Sequence, residues 1–204
     1  MNSILIATIK KEEELAGLIN ELKSKAVLEY EVIISSSEGS VAYNSNRGLE
    51  RAKGEIILKV DDDVFDFPQG WDKLLIDTLS LDKNIVIASA RVLNPNGTVQ
   101  KTCSNTEDLT PDIIDPPSGL APFCCVAFRN DGLRFDEVFQ GSSYDDTDFN
   151  LQLRMKYPSC RVVINNKIQI KHKLESKVNR FGANQELFLK KWQGVVFPDG
   201  KIRV

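Results

Sequence analysis

Short apolar stretches typical of β-strands alternate with segments of helical period along the first hundred residues. The apolar stretches predict strands at 3–9, 30–34, 55–60 and 85–88, and each of the first three is followed by apolar residues spaced three and four apart. The stretch at 55–60 is almost continuously apolar, as is typical of a buried central strand. This alternation predicts βα units that carry a largely parallel sheet.

The second half of the chain is less regular. The segment 94–98 contains Asn-Gly, which predicts a hairpin turn because these residues readily take the positive φ that such turns need. Residues 103–120 are rich in Pro, Asp, Ser and Thr, and predict a mobile loop of the kind that often carries function. The remaining predicted elements are a strand at 123–128, a helix at 145–156, one or two strands at 161–170 and a last helix that ends at Trp192.

Length, charge and composition narrow the class of protein. A chain of 204 residues can bury one sizeable core, so we expect a single domain. Its 26 Lys and Arg residues, against 29 Asp and Glu, show no basic patch, which argues against nucleic acid as a partner. No apolar run approaches the roughly 18 residues of a membrane span, and the N-terminus lacks the pattern of a signal peptide. We therefore expect a cytoplasmic protein with no integral membrane segment and with its cysteines reduced.

The buried strand at 55–60 is followed by three consecutive aspartates, Asp61, Asp62 and Asp63. Adjacent carboxylates repel one another by roughly 1–4 kcal/mol per close pair, so a bound cation makes their arrangement easier to explain. Strand alternation places Asp61 and Asp63 on one side and Asp62 on the other, and two carboxylates on one face suit Mg²⁺ or Mn²⁺ beside a diphosphate. The alternative is a solvated acidic turn, although the carboxyl ends of buried strands are where α/β folds bind ligands.

Further motifs follow in a characteristic order over nearly the whole chain. They are Tyr43-Asn44 with Gly48-Leu49, Gly54-Glu55-Ile56-Ile57 before the aspartates, the hairpin 94–100, Phe135-Asp136-Glu137-x-Phe139, Asp145-Asp146-Thr147-Asp148-Phe149 with Arg154, and an apolar run ending in His172 before Phe188-x-x-x-Trp192. Together they resemble the family 2 glycosyltransferases with the A-type fold, in particular bacterial rhamnosyltransferase-like members. The resemblance implies a single α/β domain with a Rossmann-like, mixed and mostly parallel sheet flanked by helices. It also implies a nucleotide-sugar-binding half at 1–100 and an acceptor-binding half at 101–204.

The resemblance assigns the metal site to Asp61, Asp63 and His172. Asp63 is the principal ligand in this assignment, Asp61 contacts the metal or the nucleotide, and His172 completes the coordination. The implied cofactor is Mn²⁺ or Mg²⁺, and an imidazole ligand favours manganese. Such a cation would act as a Lewis acid on the departing diphosphate.

The resemblance also implies which residue acts as the catalytic base. Inverting sugar transfer needs a carboxylate that takes the proton from the attacking hydroxyl. Asp146 matches the second acidic position of the family's Glu-Asp pair, and Asp145 occupies the first position and is the second candidate. The alternative is that both residues stabilise the positive end of a helix dipole.

Binding of the nucleotide sugar is expected of polar residues that follow the first three strands. The set is Thr8, Ser36, Ser37, Asn44, Arg47, Asp61 and Asp62. Where the family commonly has an aspartate that accepts a hydrogen bond from uracil, this chain has Ser35-Ser36-Ser37, whose hydroxyls are weaker acceptors. UDP is the expected nucleotide, with dTDP and GDP as alternatives. Arg47 suits a phosphate contact, or else is an exposed helix charge.

We therefore expect a metal-dependent inverting glycosyltransferase that moves a hexosyl or deoxyhexosyl unit from a nucleoside diphosphate sugar to a hydroxyl of a glycan acceptor. The hairpin motif suggests rhamnosyl transfer. One alternative is a nucleotidyltransferase that makes an activated sugar, although residues 8–13 lack the glycine-rich loop that a triphosphate site needs. The other alternative is a non-catalytic nucleotide- or sugar-binding module, which the missing uracil aspartate favours.

Overall fold

The computed structural model describes residues 1–101, 106–173 and 180–197, which form one eight-stranded mixed sheet with helices on both faces. The strands are β1 Asn2–Thr8, β2 Tyr30–Ser36, β3 Ile56–Val60, β4 Val64–Phe65, β5 Ile85–Leu93, β6 Ile113–Ile114, β7 Cys125–Arg129 and β8 Arg161–His172. The helices are α1 Ala16–Lys25, α2 Val41–Arg51, α3 Trp71–Ser80, α4 Asp145–Lys156 and α5 Phe181–Trp192, and a 3-10 turn at Glu12–Leu15 precedes α1.

The strand order across the sheet is β2, β1, β3, β7, β5, β8 and β4, and β6 pairs with β8 outside this path. β1 is parallel to β2 and β3, and β5 is parallel to β8, whereas β7 is antiparallel to both of its neighbours, β3 and β5. The two longest pairings, β1 with β2 and β5 with β8, are both parallel, so the predicted mixed and mostly parallel sheet is confirmed. Because β7 runs in the opposite direction, its first residue pairs with the last residue of β3.

Alternating side chains of the sheet fill two apolar cores. Ile4 and Ile6 of β1 point to the face that α1 and α3 cover, and Leu5 points to the face that α2 and α4 cover. Phe149 of α4 stacks on Phe135 in the second core, with ring centroids 4.3 Å apart. Since helices cover both faces, the central strands are buried, as the apolar run at 55–60 predicts.

The predicted elements are present with changes at their boundaries. The strand expected at 85–88 continues to Leu93, and the stretch expected at 161–170 is one strand that ends at His172. The predicted hairpin turn is confirmed, because the Asn94 backbone N–H donates to the Thr98 carbonyl at 2.8 Å and Gly97 has a φ of 86°.

The loop predicted at 103–120 contacts β5 through its described part. Residues 103–105 lie outside the described ranges. The Arg91 guanidinium on β5 donates to the carbonyls of Thr106 and Asp108 at 2.8 and 3.0 Å. Arg91 is buried, so it anchors the described part of this loop to the sheet.

Two further expectations concern the cysteines and membrane segments. Cys124, Cys125 and Cys160 are free thiols, and Cys103 lies outside the described residues. Within the described ranges, no helix combines the length and the apolar character needed to cross a membrane.

Asp148 of α4 is fully buried and joins α4 to α5. One carboxylate oxygen accepts from the Trp192 indole N–H at 2.6 Å and from the Lys191 ammonium at 2.8 Å. The other oxygen accepts from the Gln152 amide at 2.7 Å. A buried carboxylate is tolerated where it is paired in this way, so the contact fixes the C-terminal helix against α4.

Replacing Asp148 by Ala should lower the free energy of unfolding by about 3 kcal/mol, because the buried Trp192 N–H and the Lys191 ammonium lose a charged partner. Asp136→Ala removes the more exposed partner of the same lysine and should cost less than about 1 kcal/mol. Urea unfolding of the two variants measures the difference. Equal losses in both would contradict the role given to Asp148.

Candidate active site

The three aspartates form the turn between β3 and β4 and do not continue the β3 strand. β3 ends at Val60 and β4 begins at Val64. The Asp61 backbone N–H donates to the Cys124 carbonyl at 2.9 Å, so hydrogen bonding between β3 and β7 extends to the first aspartate. Within this turn, the Asp62 side chain points toward the end of β1, and those of Asp61 and Asp63 lie on the side of His172.

Each aspartate of the turn has its own basic partner, on a different element. The pairs are Asp61 with Lys59 at 2.6 Å, Asp62 with Lys10 at 3.3 Å, and Asp63 with His172 at 3.0 Å. The distribution of partners separates the three carboxylates, which reduces their mutual repulsion.

His172, the last residue of β8, is buried between Asp63 and Gln100. Its Nε2 faces the Asp63 carboxylate at 3.0 Å, and its Nδ1 faces Gln100 Oε1 at 2.8 Å. The Cys124 sulfur lies 3.5 Å from Nδ1. Burial lowers the pKa of His172, but the hydrogen bond and charge of Asp63 and the charge of Asp61 outweigh it and raise the pKa above its ordinary value.

Lys59 places a buried positive charge beside Asp61. It projects from β3 and is 3% exposed. Burial alone would lower the pKa of its ammonium, but the neighbouring Asp61 carboxylate and the charge of Asp145 raise it, so Lys59 remains protonated. Lys59 is therefore a fixed counter-charge between the aspartate turn and the start of α4.

The residues around His172 fit a divalent cation. Asp63 Oδ1 and His172 Nε2 are 3.0 Å apart, which is close to the separation of adjacent ligands about 2.1 Å from an octahedral metal ion. An Asp61 carboxylate oxygen, the Cys124 sulfur and a His172 ring nitrogen all lie within 4.8 Å of one another. Two carboxylates and an imidazole are a donor set suited to Mn²⁺.

Asp145 and Asp146 begin α4 after a turn with unusual backbone geometry. Ser143 and Tyr144 both have positive φ, 91° and 68°, a conformation that non-glycine residues adopt rarely. The buried Asn184 side chain of α5 holds this turn, because its amide donates to the carbonyls of Gln140, Ser142 and Ser143 at 3.0, 3.3 and 2.8 Å. The last helix thus fixes the position of the two carboxylates.

The carboxyls of Asp145 and Asp146 both have raised pKa values. Burial is the main cause in each case, and the charge of Asp146 raises the pKa of Asp145 further, whereas Lys59 opposes both shifts. Asp145 is buried, and Asp146 is partly exposed. The Thr147 backbone N–H and hydroxyl contact the same oxygen of Asp146, at 2.7 and 3.3 Å, and none of the described hydrogen bonds reaches the second oxygen. A carboxylate with a raised pKa is a stronger base than an ordinary aspartate.

A cleft of about 360 Å³ opens at the carboxyl end of β2. Four predicted nucleotide-binding residues line it, namely Ser36, Ser37, Asn44 and Arg47. Asn44 is buried and forms part of the wall, since its amide donates to the Thr8 carbonyl at 2.9 Å and its oxygen accepts from Ser37 at 2.6 Å. Arg47 is half-exposed and pairs with Glu50 at 2.8 Å.

Thr8 connects this cleft to the aspartate turn. Its hydroxyl donates to the Asp62 carboxylate and accepts from the Lys10 backbone N–H at 2.8 Å. The predicted site residues therefore form two neighbouring groups, one at the cleft and one around Asp61, Asp63 and His172, with Asp145 and Asp146 beside the latter.

Sequence reasoning missed three residues of this site. Lys59 belongs to the stretch 55–60, which was interpreted as almost continuously apolar. A lysine in a buried strand, two positions before Asp61, nevertheless indicates a buried charge that pairs with an acidic residue. Cys124 lies in the predicted strand at 123–128 and looks like an ordinary apolar strand residue, yet its sulfur lies 3.5 Å from His172 Nδ1. Asn184 has no local signal, because its contacts with residues 140–143 depend on how α5 packs.

Comparison with solved structures identifies the fold. The structure of GalNAc-T7 with UDP, GalNAc and Mn²⁺ superposes with a TM-score of 0.67 at 10% identity, over 94% of this chain and 48% of that one. S. aureus TarS 1-349 in complex with UDP superposes with a TM-score of 0.62 at 14% identity, over 93% and 71% of the two chains. TarS 1-349 in complex with UDP-GlcNAc gives a TM-score of 0.60 at 15% identity, over 84% and 58%.

These neighbours have the A-type glycosyltransferase fold, and this chain shares it. The chain spans about half the length of the GalNAc-T7 chain. No protein-family model and no curated protein matches the sequence.

Replacing Lys59 by Met should lower the free energy of unfolding by about 2–3 kcal/mol near neutral pH, because Asp61 and Asp145 lose their buried counter-charge. The deficit should shrink on acidification, since the pKa of Asp145 is raised to about 7 and a protonated Asp145 no longer needs that charge. Urea unfolding at about pH 7.5 and about pH 5 measures both effects. Lys73→Met, which breaks the exposed pair with Asp77, should cost less than about 0.5 kcal/mol at either pH. A Lys59→Met deficit that is independent of pH would contradict the electrostatic role.

Proposed function

We propose that this chain is a metal-dependent inverting glycosyltransferase that moves a hexosyl or deoxyhexosyl unit from a nucleoside diphosphate sugar to a hydroxyl of a glycan acceptor. The observation that carries the proposal is the meeting of Asp61, Asp63 and His172 with Asp145 and Asp146 at one edge of an A-type glycosyltransferase sheet. The UDP in the GalNAc-T7 and TarS structures supports UDP as the nucleotide.

The cleft beside Ser36 and Ser37 is the proposed site of the nucleotide base. It lies on the Asp62 side of the turn, and Thr8 links the two. A donor that occupies the cleft would extend its diphosphate toward Asp61 and Asp63. Two arginines, Arg47 and Arg51, line the same cleft and supply positive charge for phosphate oxygens.

Asp61, Asp63 and His172 would hold Mn²⁺ or Mg²⁺. The bound cation would neutralise the charge that develops on the diphosphate as it leaves. The Mn²⁺ in the GalNAc-T7 structure and the imidazole ligand both favour manganese.

Asp146 is the proposed base, with Asp145 as the second candidate. The acceptor oxygen forms a bond to the anomeric carbon while the bond from that carbon to the diphosphate oxygen breaks. The acceptor proton passes to the Asp146 carboxylate, and the leaving group departs as the nucleoside diphosphate. The partial exposure of Asp146 favours it over the buried Asp145 for contact with an acceptor.

Nucleotide release from UDP-, dTDP- and GDP-sugars, measured with Mn²⁺, with Mg²⁺ and with a chelator, tests the proposal. We expect metal-dependent release from UDP-sugars and its loss in Asp63→Ala. Asp146→Asn should lower transfer by about 10²–10⁴-fold, because the proton acceptor is removed. Asp66→Asn is the matched control, since Asp66 lies outside the site and its positive φ of 66° suits asparagine equally well.

Three results of this assay would contradict the metal, the base or the catalytic activity. Release that persists in the chelator and in Asp63→Ala would exclude the metal. Full transfer by Asp146→Asn would exclude that base. Tight donor binding without turnover by the parent protein would favour a non-catalytic binding module.

The pH dependence of kcat/KM under saturating metal gives a second test. Burial raises the pKa of Asp146, so activity should fall with decreasing pH at a point above the ordinary aspartate value of about 4. The residual activity of Asp146→Asn should lack this acidic limb. An unchanged limb in that variant would assign it to another group.

A further inference from the structure

One face of α5 is buried along most of its length and ends in an exposed aromatic ring. Residues 181, 184, 188 and 192 follow one another at steps of three and four, so they share this face of the helix. Asn184, Phe188 and Trp192 are buried, whereas Phe181, the first residue of α5, is 53% exposed. The face is therefore open where the helix begins.

Tyr144 packs against this open end. Its ring centroid is 5.2 Å from that of Phe181, with the two planes tilted by 52°, and 5.0 Å from that of Phe188. Tyr144 has a φ of 68°, which is unusual for a bulky residue and persists only where the surrounding structure holds it. The Asn184 amide supplies that support through the Ser143 carbonyl, so the turn before α4 fixes the Tyr144 ring against Phe181.

The aromatic pair Tyr144 and Phe181 is continuous with the candidate active site. Asp146 follows Tyr144 by two positions, so their Cα atoms are at most about 7.6 Å apart. The same turn also contacts the start of α2, because the Val41 backbone N–H donates to the Gly141 carbonyl at 3.0 Å. A ligand that covers the exposed ring of Phe181 would thus lie beside the proposed base.

The exposed face of an aromatic ring suits one particular part of a sugar. A pyranose has C–H bonds on one face and hydroxyls around its rim, and the negative face of an aromatic ring attracts the slightly positive C–H groups. The contact also removes apolar surface of both partners from water. It leaves the hydroxyls of the rim free, as the transfer of a proton to a carboxylate base requires.

We propose that Phe181, supported by Tyr144, is an acceptor-binding subsite that takes the C–H face of a pyranose ring and places one of its hydroxyls beside Asp146. This inference rests on the proposed function for the identity of the reaction. It narrows the acceptor to a saccharide that presents a pyranose ring at the reacting hydroxyl. It also gives α5 a second role, because the helix that holds the turn before α4 then contributes a ring that binds substrate.

Binding of a sugar to Phe181 can be measured without turnover. The probes are the methyl pyranosides of glucose, galactose, N-acetylglucosamine and rhamnose, and glycerol is the control that has hydroxyls but no ring. Each is titrated, with and without UDP and Mn²⁺, into protein whose phenylalanine rings carry ¹³C, and the Phe181 signal is identified by its loss in Phe181→Ala. We expect a saturable shift of the Phe181 signal with at least one pyranoside and no shift with glycerol.

Matched variants give the second readout, which is the affinity for that pyranoside measured by calorimetry. Phe181→Ala should bind it about tenfold more weakly than the parent, whereas Phe181→Tyr keeps the ring and should stay within about threefold. The control Leu189→Ala removes another exposed apolar side chain of α5 and should leave the affinity unchanged. In transfer assays, Phe181→Ala should raise the KM of the pyranoside by about tenfold and the KM of the UDP-sugar by less than about twofold.

A Phe181 signal that shifts with none of the pyranosides would overturn the inference, and so would equal losses of affinity in Phe181→Ala and Leu189→Ala. A signal that moves with protein concentration and with no pyranoside would assign the rings to a second copy of the chain, which also overturns it. Saturable pyranoside binding at Phe181 in a parent that releases no nucleotide from any of the donors would support the subsite and contradict the proposed function.

Discussion

The concentration of negative charge at one sheet edge is the constraint on which the rest of this site depends. Five aspartates, at 61–63 and 145–146, meet where β3 ends and α4 begins. Buried or partly buried carboxylates are stable there because Lys59, Lys10 and His172 each take one aspartate of the turn. Asp145 and Asp146 have no direct basic partner among the described contacts, and burial is the main cause of their raised pKa values. A site arranged in this way has residual negative charge, which favours a cation.

The position of β7 explains how distant parts of the chain come together. It is antiparallel between β3 and β5, so its start lies against Asp61, and Cys124 just before it faces His172. The metal candidates therefore come from both halves of the chain, Asp61 and Asp63 from the first and His172 from the second. The division into a donor-binding half at 1–100 and an acceptor-binding half at 101–204 remains a prediction. The acidic site contains residues from both halves.

Local patterns predicted the elements well because apolar periodicity is a local property. The helix at Asp145–Lys156 and the hairpin at Asn94–Thr98 agree with the structure, and so does the fold class. The three aspartates were found because their charge interrupts an apolar strand. Partners such as Gln100 and Asn184 were not found, because polar residues in a helix or hairpin look alike in sequence whether they are exposed or buried. Their contacts depend on the register of β8 and on the packing of α5, which a single sequence does not report.

The turn before α4 also affects the order in which parts of the protein fold during synthesis. Its left-handed residues, Ser143 and Tyr144, are held by Asn184, which follows them in the chain by some forty residues. The parallel strands β1, β2 and β3 and the cleft beside them involve residues 1–60 and can assemble before α5 exists. During synthesis, the cleft beside β2 would therefore be in place first, and Asp145 and Asp146 would reach their final positions only when the last helix docks. A nascent chain would hold the proposed nucleotide cleft before the proposed base had reached its final position.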